Sequence, residues 1–307
     1  MRLLSLLLAI FVFPLAAYYK IEVGQGYQEG SLDWNIAGPV VNKKVTPDVL
    51  SELKWQDLSL WNTHATAAYY EIGYRVKIEG NYGKIYKGTV RDQDFGGNGR
   101  TRIFSDAQAT ADRGEVYDYN LTAGYPLCWK GFTFVPYGGM GYDVQSVTMT
   151  SPATLDFNGQ NNPFNPTSTK FKTKIDDLDS SYKAVWKGPL LGFDLGYRWA
   201  FLAIFSSIEY HWLEFKGKAH WNLRDDILGP FHHSGEGNGI KWKAGGSVDL
   251  NGQWTLSVLS VYTSYSLRHG IEKSTIVWNK EPLFIKTGLN DVNWHAWTIT
   301  LNVGYKF

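Results

Sequence analysis

Apolar and polar residues alternate along much of this chain with the two-residue period of a β-strand. The last stretch, Asn293 to Phe307, shows the pattern most cleanly. Trp297, Ile299, Leu301, Val303, Tyr305 and Phe307 share one face, while Ala296, Thr298, Thr300, Asn302, Gly304 and Lys306 share the other. An aqueous strand hides such a face in a core. A lipid-facing strand shows it outward and carries aromatics at both membrane interfaces, here Trp294 and Trp297 at one end and Phe307 at the other. Glu115 to Tyr125 repeats the pattern, with Tyr117, Tyr119, Leu121, Ala123 and Tyr125 against Asp118, Asn120, Thr122 and Gly124.

Taken in order, the alternation predicts strands over Tyr18 to Tyr27, Leu53 to Tyr70, Tyr74 to Arg91, Glu115 to Tyr125 and Phe132 to Thr150. Further strands follow over Tyr182 to Tyr197, Phe201 to Asn222, Gly239 to Leu250 and Trp254 to Trp278, and the terminal stretch completes a set of ten. Tight turns fall near Glu71-Ile72-Gly73, Pro126 to Gly131, Arg198-Trp199-Ala200 and Asn251-Gly252. Long connections, rich in Gly, Asn or Pro, run from the first strand to about Leu50, from Asp94 to Arg102, from Ser151 to Lys170, from Arg224 to Asn238 and from Lys280 to Leu289. Alternating short turns and long loops around an even number of strands are what a transmembrane barrel requires, and the terminal strand must then pair with the first to leave no edge in lipid.

The N-terminus fits an exported protein. Arg2 precedes an apolar run from Leu3 to Leu15 that closes on Ala16-Ala17, the layout of a signal peptide over residues 1–17, which leaves 18–307 as one barrel domain. That run is shorter than the ~20 apolar residues of a membrane-spanning helix, so any crossing is by strands. An aromatic content of 16%, with 13 Trp and 19 Tyr, supplies two interfacial belts. The mean hydropathy of −0.27 suits a barrel with a polar interior and not a helical bundle. Thirty Lys and Arg against 29 Asp and Glu leave no charge imbalance from which to expect nucleic acid as a partner. Cys128 is the single cysteine, which excludes an internal disulfide and leaves a tolerated small residue or an intermolecular bridge as its readings.

Asp92-Gln93-Asp94 stands where the third strand passes into its loop. Two carboxylates at i and i+2 share a strand face and push each other's proton affinities apart, an arrangement that can handle a water molecule or simply begin a solvated loop. Ser51-Glu-Leu-Lys-Trp55, Val90-Arg-Asp-Gln-Asp-Phe95 and the Gly304-Tyr-Lys-Phe307 ending resemble the omptins, ten-stranded outer-membrane barrels that act as endoproteases on external peptides. The spacing of the first two segments is also similar to that in barrel proteins of environmental chlamydiae. The omptin resemblance implies that Asp92 and Asp94 form one wall of a water-activating site, with an Asp-x-His pair on the other. That second pair falls on Lys218-Ala219-His220, which makes His220 the candidate base and puts Lys218 where an orienting carboxylate belongs. An ammonium there disfavours the protonated imidazole. Asp225, Asp226, His232 and His233 lie just downstream as an alternative source of the pair.

The fold class is therefore all-β, a ten-stranded antiparallel transmembrane β-barrel of the outer membrane with loops at the cell surface. Three functions remain open: a surface, structural or binding barrel with an altered dyad; an omptin-like endopeptidase using Asp92, Asp94 and His220; and a narrow channel. Expected partners are outer-membrane lipid and external peptides or proteins. Neither a cofactor nor a metal is expected, and lipopolysaccharide enters as a requirement of protease activity through the omptin resemblance.

Overall fold

The computed structural model describes residues 17–41, 44–225, 227–278 and 280–307. Numbered in chain order, ten long strands pair each with the next in sequence and the last with the first. They are β1 (Tyr18–Ile36), β4 (Ser51–Glu71), β5 (Tyr74–Gly97), β7 (Gly114–Gly124) and β9 (Phe132–Asn158), then β11 (Asp179–Trp199), β12 (Leu202–His220), β13 (Phe231–Asp249), β14 (Trp254–Trp278) and β15 (Glu281–Lys306). Every neighbouring pair is antiparallel. Closure runs the length of β1, from Lys20 opposite Lys306 to Ile36 opposite Leu289. At the seam's lower end the Phe307 amide donates to the Tyr19 carbonyl at 3.0 Å, and the Tyr19 amide donates back to Phe307 at 3.3 Å.

The strand total exceeds the expected ten. Among the described residues there are fifteen strands, the other five being β2 (Val40–Val41), β3 (Lys44–Val45), β6 (Thr101–Thr110), β8 (Leu127–Trp129) and β10 (Lys170–Ile175). Much of what composition assigns to loops is paired β-structure. Asp94 to Arg102 contains the end of β5 and a turn into β6, while Ser151 to Lys170 continues β9 as far as Asn158. Most of the Arg224–Asn238 stretch is the start of β13, and Lys280 to Leu289 is the start of β15, zipped to β14 up to Trp278 opposite Glu281. Their inner faces are buried at scattered positions, Phe95, Ala153, His233 and Leu289, and the residues between carry no regular alternation of hydrophobicity, so their register comes from the neighbouring strand. The signal peptide, residues 1–17, falls almost wholly outside the described residues; Ala17 directly precedes β1.

The wall is apolar outside and polar inside within the lower half. On β15, Trp297, Ile299, Leu301 and Val303 are exposed while Thr298, Thr300 and Asn302 are buried, as the alternation predicts. Trp294 is the exception: it is 2% exposed and points into the lumen, so Trp297 alone marks that interface on this strand. Trp212, Trp242 and Trp254 stand on the outer wall, whereas Trp221 packs against Phe231. No helix is long and apolar enough to cross a membrane, and the only helical turn among the described residues is Gly159–Asn161.

Deleting Phe307, or replacing it by Asp, removes the last lipid-facing aromatic and disturbs the seam with Tyr19. We expect a severalfold loss of folded, heat-modifiable barrel on electrophoresis; normal yield and surface labelling of the variant would show that the terminal residue does not serve assembly.

Candidate functional site

The two aspartates reach the lumen because the wall is bulged beneath them. Below the bulge, Glu79, Asn81 and Ile85 of β5 face inward, so strict alternation would send Asp92 and Asp94 outward. Opposite bulges, one near Asp57 of β4 (φ 54°) and one near Tyr86, shift both strands by a residue. Above them Trp55 pairs with Val90, Leu53 with Asp92 and Ser51 with Asp94, and all of these face the interior. A bulge re-aims a side chain in just this way. A third bulge, near His269 of β14 (φ 63°), turns Glu272 inward.

Burial is the main influence on the Asp pair and pushes both carboxyls above their usual range, Asp92 well above it. The charge of Asp94 adds to the rise on Asp92, while the Ser51 hydroxyl and the Arg224 guanidinium oppose it on both. Oδ1 of Asp92 is buried without a hydrogen-bond partner, which suits a protonated carboxyl better than a carboxylate. The cation that acts on the pair thus comes from the loop after β12, where an omptin-like site would need an imidazole.

His220 does not join the pair. Along β12 the inward side chains are Glu209, His211, Leu213, Phe215, Gly217 and Ala219, all buried; Lys216, Lys218 and His220 alternate with them and are exposed on the outer face. With no bulge in β12, the imidazole stands on the far side of the wall from the lumen. Asp226 lies outside the described residues, and His232 is exposed.

The histidine that does face the lumen at this height is His233, on β13, halfway round the ring from β5. Its Nε2 meets Glu272 Oε2 at 3.0 Å, and its Nδ1 meets the Tyr182 hydroxyl at 2.9 Å. Burial, followed by the Glu272 charge, raises Tyr182 well above the ordinary phenol range, so the hydroxyl stays protonated. A neutral His233 therefore carries its proton on Nε2 toward Glu272 and accepts from Tyr182 at Nδ1.

Aromatic rings fill the space between this relay and the aspartates. Tyr182 crosses the lumen from β11 to stack on Trp55 at 5.6 Å and to meet Trp34 at 5.8 Å; Trp34 in turn meets the His233 ring edge-on at 4.9 Å. Gly217 makes room for it, since a Cβ there would collide with the Tyr182 hydroxyl. Trp55 donates across the lumen to the Thr148 carbonyl at 3.0 Å. Beneath lies Trp186, wedged between Phe215 (4.4 Å) and Tyr265 (5.7 Å) and donating to Gln145 Oε1 at 2.9 Å.

Lower still, an ion-pair layer closes the lumen. Lys243 joins Glu79 and Glu209 (2.8 Å to the latter), Lys77 adds a second cation to Glu79 at 2.9 Å, and His211 meets Glu209 at 3.2 Å. Lys241 bridges Asp143 at 2.7 Å and Asp118 at 3.4 Å. Lys241 and Lys243 are thus interior residues, whereas Lys216 and Lys218 lie on the outer wall. Below this layer a polar cavity of ≈ 510 Å³, lined among others by His64, Arg75, Asp194 and Lys243, opens toward the short turns. Among the described residues no cluster of three or more His, Cys, Asp or Glu is placed to hold a metal ion.

Glu209-x-His211, an acid and an imidazole two apart, was legible as a motif earlier on the strand that carries His220. Its inward facing was legible from alternation; its partner Lys243 was not, because that contact joins separate strands.

A family profile described as Protochlamydia outer membrane protein matches residues 22–307. No curated protein matches the sequence. Among solved structures, the outer membrane protease OmpT from Escherichia coli superposes with a TM-score of 0.80 over 97% of this chain and 99% of that one, at 11% identity. Weaker matches include the outer membrane protein OprG from Pseudomonas aeruginosa (TM-score 0.34, 11% identity, 95% and 96% covered). A major outer membrane protein from Thermus thermophilus is similar at a TM-score of 0.32, with 11% identity and 95% and 100% covered. At such identity the likeness to OmpT concerns the fold.

Two measurements probe the mouth. An acid whose folded pKa is raised binds more protons folded than unfolded, so stability falls as pH rises from about 4, the unfolded carboxylate value, through the raised folded values. Hydrogen-exchange protection at the tip of β5, taken relative to the base-catalysed intrinsic rate, should therefore fall over that range in the native chain, and Asp92→Asn should flatten the dependence; an unchanged profile would refute the assignment. Trp186→Ala should cost about 3–5 kcal/mol in denaturant unfolding, the usual loss for a buried large aromatic, and a loss under 1 kcal/mol would mean that the aromatic layer is not tightly packed.

Proposed function

Because the chain belongs to the Protochlamydia outer membrane protein family, we propose that it is a sealed surface barrel of the outer membrane, a structural or binding protein built on the omptin fold without an omptin-type water site. The observation that carries this reading is the aromatic bridge of Trp34, Tyr182 and Trp55, which occupies the lumen between Asp92/Asp94 and His233. Acid–base hydrolysis needs base, water and scissile bond within hydrogen-bond reach of one another. Here the base expected on the second wall, His220, is turned to the outside, and the inward His233 is already committed to Glu272 and Tyr182.

Conduction is disfavoured by the same filling, with the ion-pair layer adding a second closure below the rings. Ten-stranded rings leave little more than side-chain volume inside. On this reading residues 1–17 are removed on export, membrane lipid surrounds the lower wall, and external proteins or peptides meet the extended upper wall.

The test uses the refolded full chain with lipopolysaccharide present. We expect no cleavage of basic peptides above background and no unitary conductance in planar bilayers. Cleavage that disappears in Asp94→Ala would establish the endopeptidase instead, and regular single-channel steps would establish the channel.

A further inference from the structure

Above the ring, β9 continues between two extra neighbours, β6 on one side and β10 on the other, and among the described residues no strand pairs with the far side of β10. An unpaired strand edge is a template for another strand. Lys170 through Lys174 of β10 are all exposed, and Lys170, Lys172 and Lys174 project from one face.

That face is the outer one. Lys172 is paired with Asp156, Asp156 with Asp106, and Asp106 with Gln93, whose neighbours Asp92 and Asp94 point into the lumen. Asp106 is taken by a two-pronged contact from Arg91 at 2.9 and 2.6 Å. Among the described residues no carboxylate lies within ion-pair distance of Lys170, Lys172 or Lys174. The inner face of β10 braces it: Phe171 stacks on Phe157 at 5.2 Å, and Ile175 packs against the core. The edge is held in place before any partner arrives, which lowers the ordering cost of docking.

We propose that β10 docks an extended acidic segment of an external protein, which joins the sheet as a further strand and sets carboxylates at alternate positions against the three lysines. The proposal rests on the reading of the barrel as a surface platform and adds the chemistry of its partner. A second copy of this chain is the wrong occupant, since its β10 would bring lysine against lysine. Lipid phosphates are too far away. Ala153, where the β10 pairing begins, is eleven residues beyond Tyr142, which stacks on Tyr119 of the outer wall, about 25–30 Å up for strands rising ~3.3 Å per residue at a tilt of ~40°.

The probe is a fluorescein-labelled hexapeptide of alternating Asp and Val, titrated by anisotropy against the refolded full chain in detergent micelles. Binding should weaken at least tenfold for the chain carrying Lys170→Glu, Lys172→Glu and Lys174→Glu, and should be lost when alternate peptide amides on the pairing edge are N-methylated, which keeps the charges and removes the strand hydrogen bonds. An alternating Lys/Val peptide should not bind. Unchanged binding of the N-methylated peptide, or equal competition by phosphatidylglycerol vesicles, would overturn strand docking in favour of simple charge attraction or a lipid surface. No binding to a barrel that is folded and does not cleave would overturn the docking edge alone. Peptide fragments seen by mass spectrometry would instead overturn the platform reading beneath it.

Discussion

Hydrocarbon offers no partner to a backbone N–H or C=O, and from that constraint the rest of this molecule follows. A sheet can satisfy it only by closing, and here closure is made by the longest separation in the chain, β1 against β15 from end to end. Closure then inverts the usual arrangement of side chains. The apolar face of each strand belongs outside, against lipid, and the polar face is confined to the lumen.

What fills that lumen reflects its depth. Within the lower half the inward positions are polar, and the buried charges among them meet opposite ones: Lys243 with Glu79 and Glu209, Lys241 with Asp143 and Asp118, Arg75 with Asp194. Such pairs are costly to desolvate and costlier to break singly, so they lock the inward-facing strands to one another rather than adding much net stability. Higher up, the inward positions are aromatic and pack as an ordinary core, with Tyr182 and Trp55 reaching partners on strands beyond their neighbours and Trp186 bonding Gln145 on the adjacent β9. The barrel is therefore closed twice, by ions and then by rings.

The likeness to an omptin in fold, and the departure from one in the mouth, meet at the bulges. Local extra residues near Asp57, Tyr86 and His269 decide whether Asp92, Asp94 and Glu272 look inward. β12 has none, so His220 remains outside with Lys218. A one-residue slip flips a whole strand segment, which makes the facing of a site residue far more sensitive than the fold to small changes.

The sequence by itself determined the barrel: the alternation of β15 and β7, the aromatic ends, the short turns near Gly73, Ala200 and Gly252, and the pairing of first strand with last all follow from periods two residues long. It also marked Asp92 and Asp94 as a pair on one face. Only the tertiary structure decided which way that face looks and what stands opposite it. Facing depends on bulges that leave no mark in composition, and opposition depends on side chains such as Tyr182, Glu272 and Lys243 that meet across the lumen from strands far apart in the chain. The short strands above the membrane, β6 and β10, have no counterpart in the sequence reading for a related reason. Only a few inward residues, Ala107 and Ala109 of β6 and Ile175 of β10, reach the core, too few to set a pattern, and the strands' order comes from the neighbour they pair with.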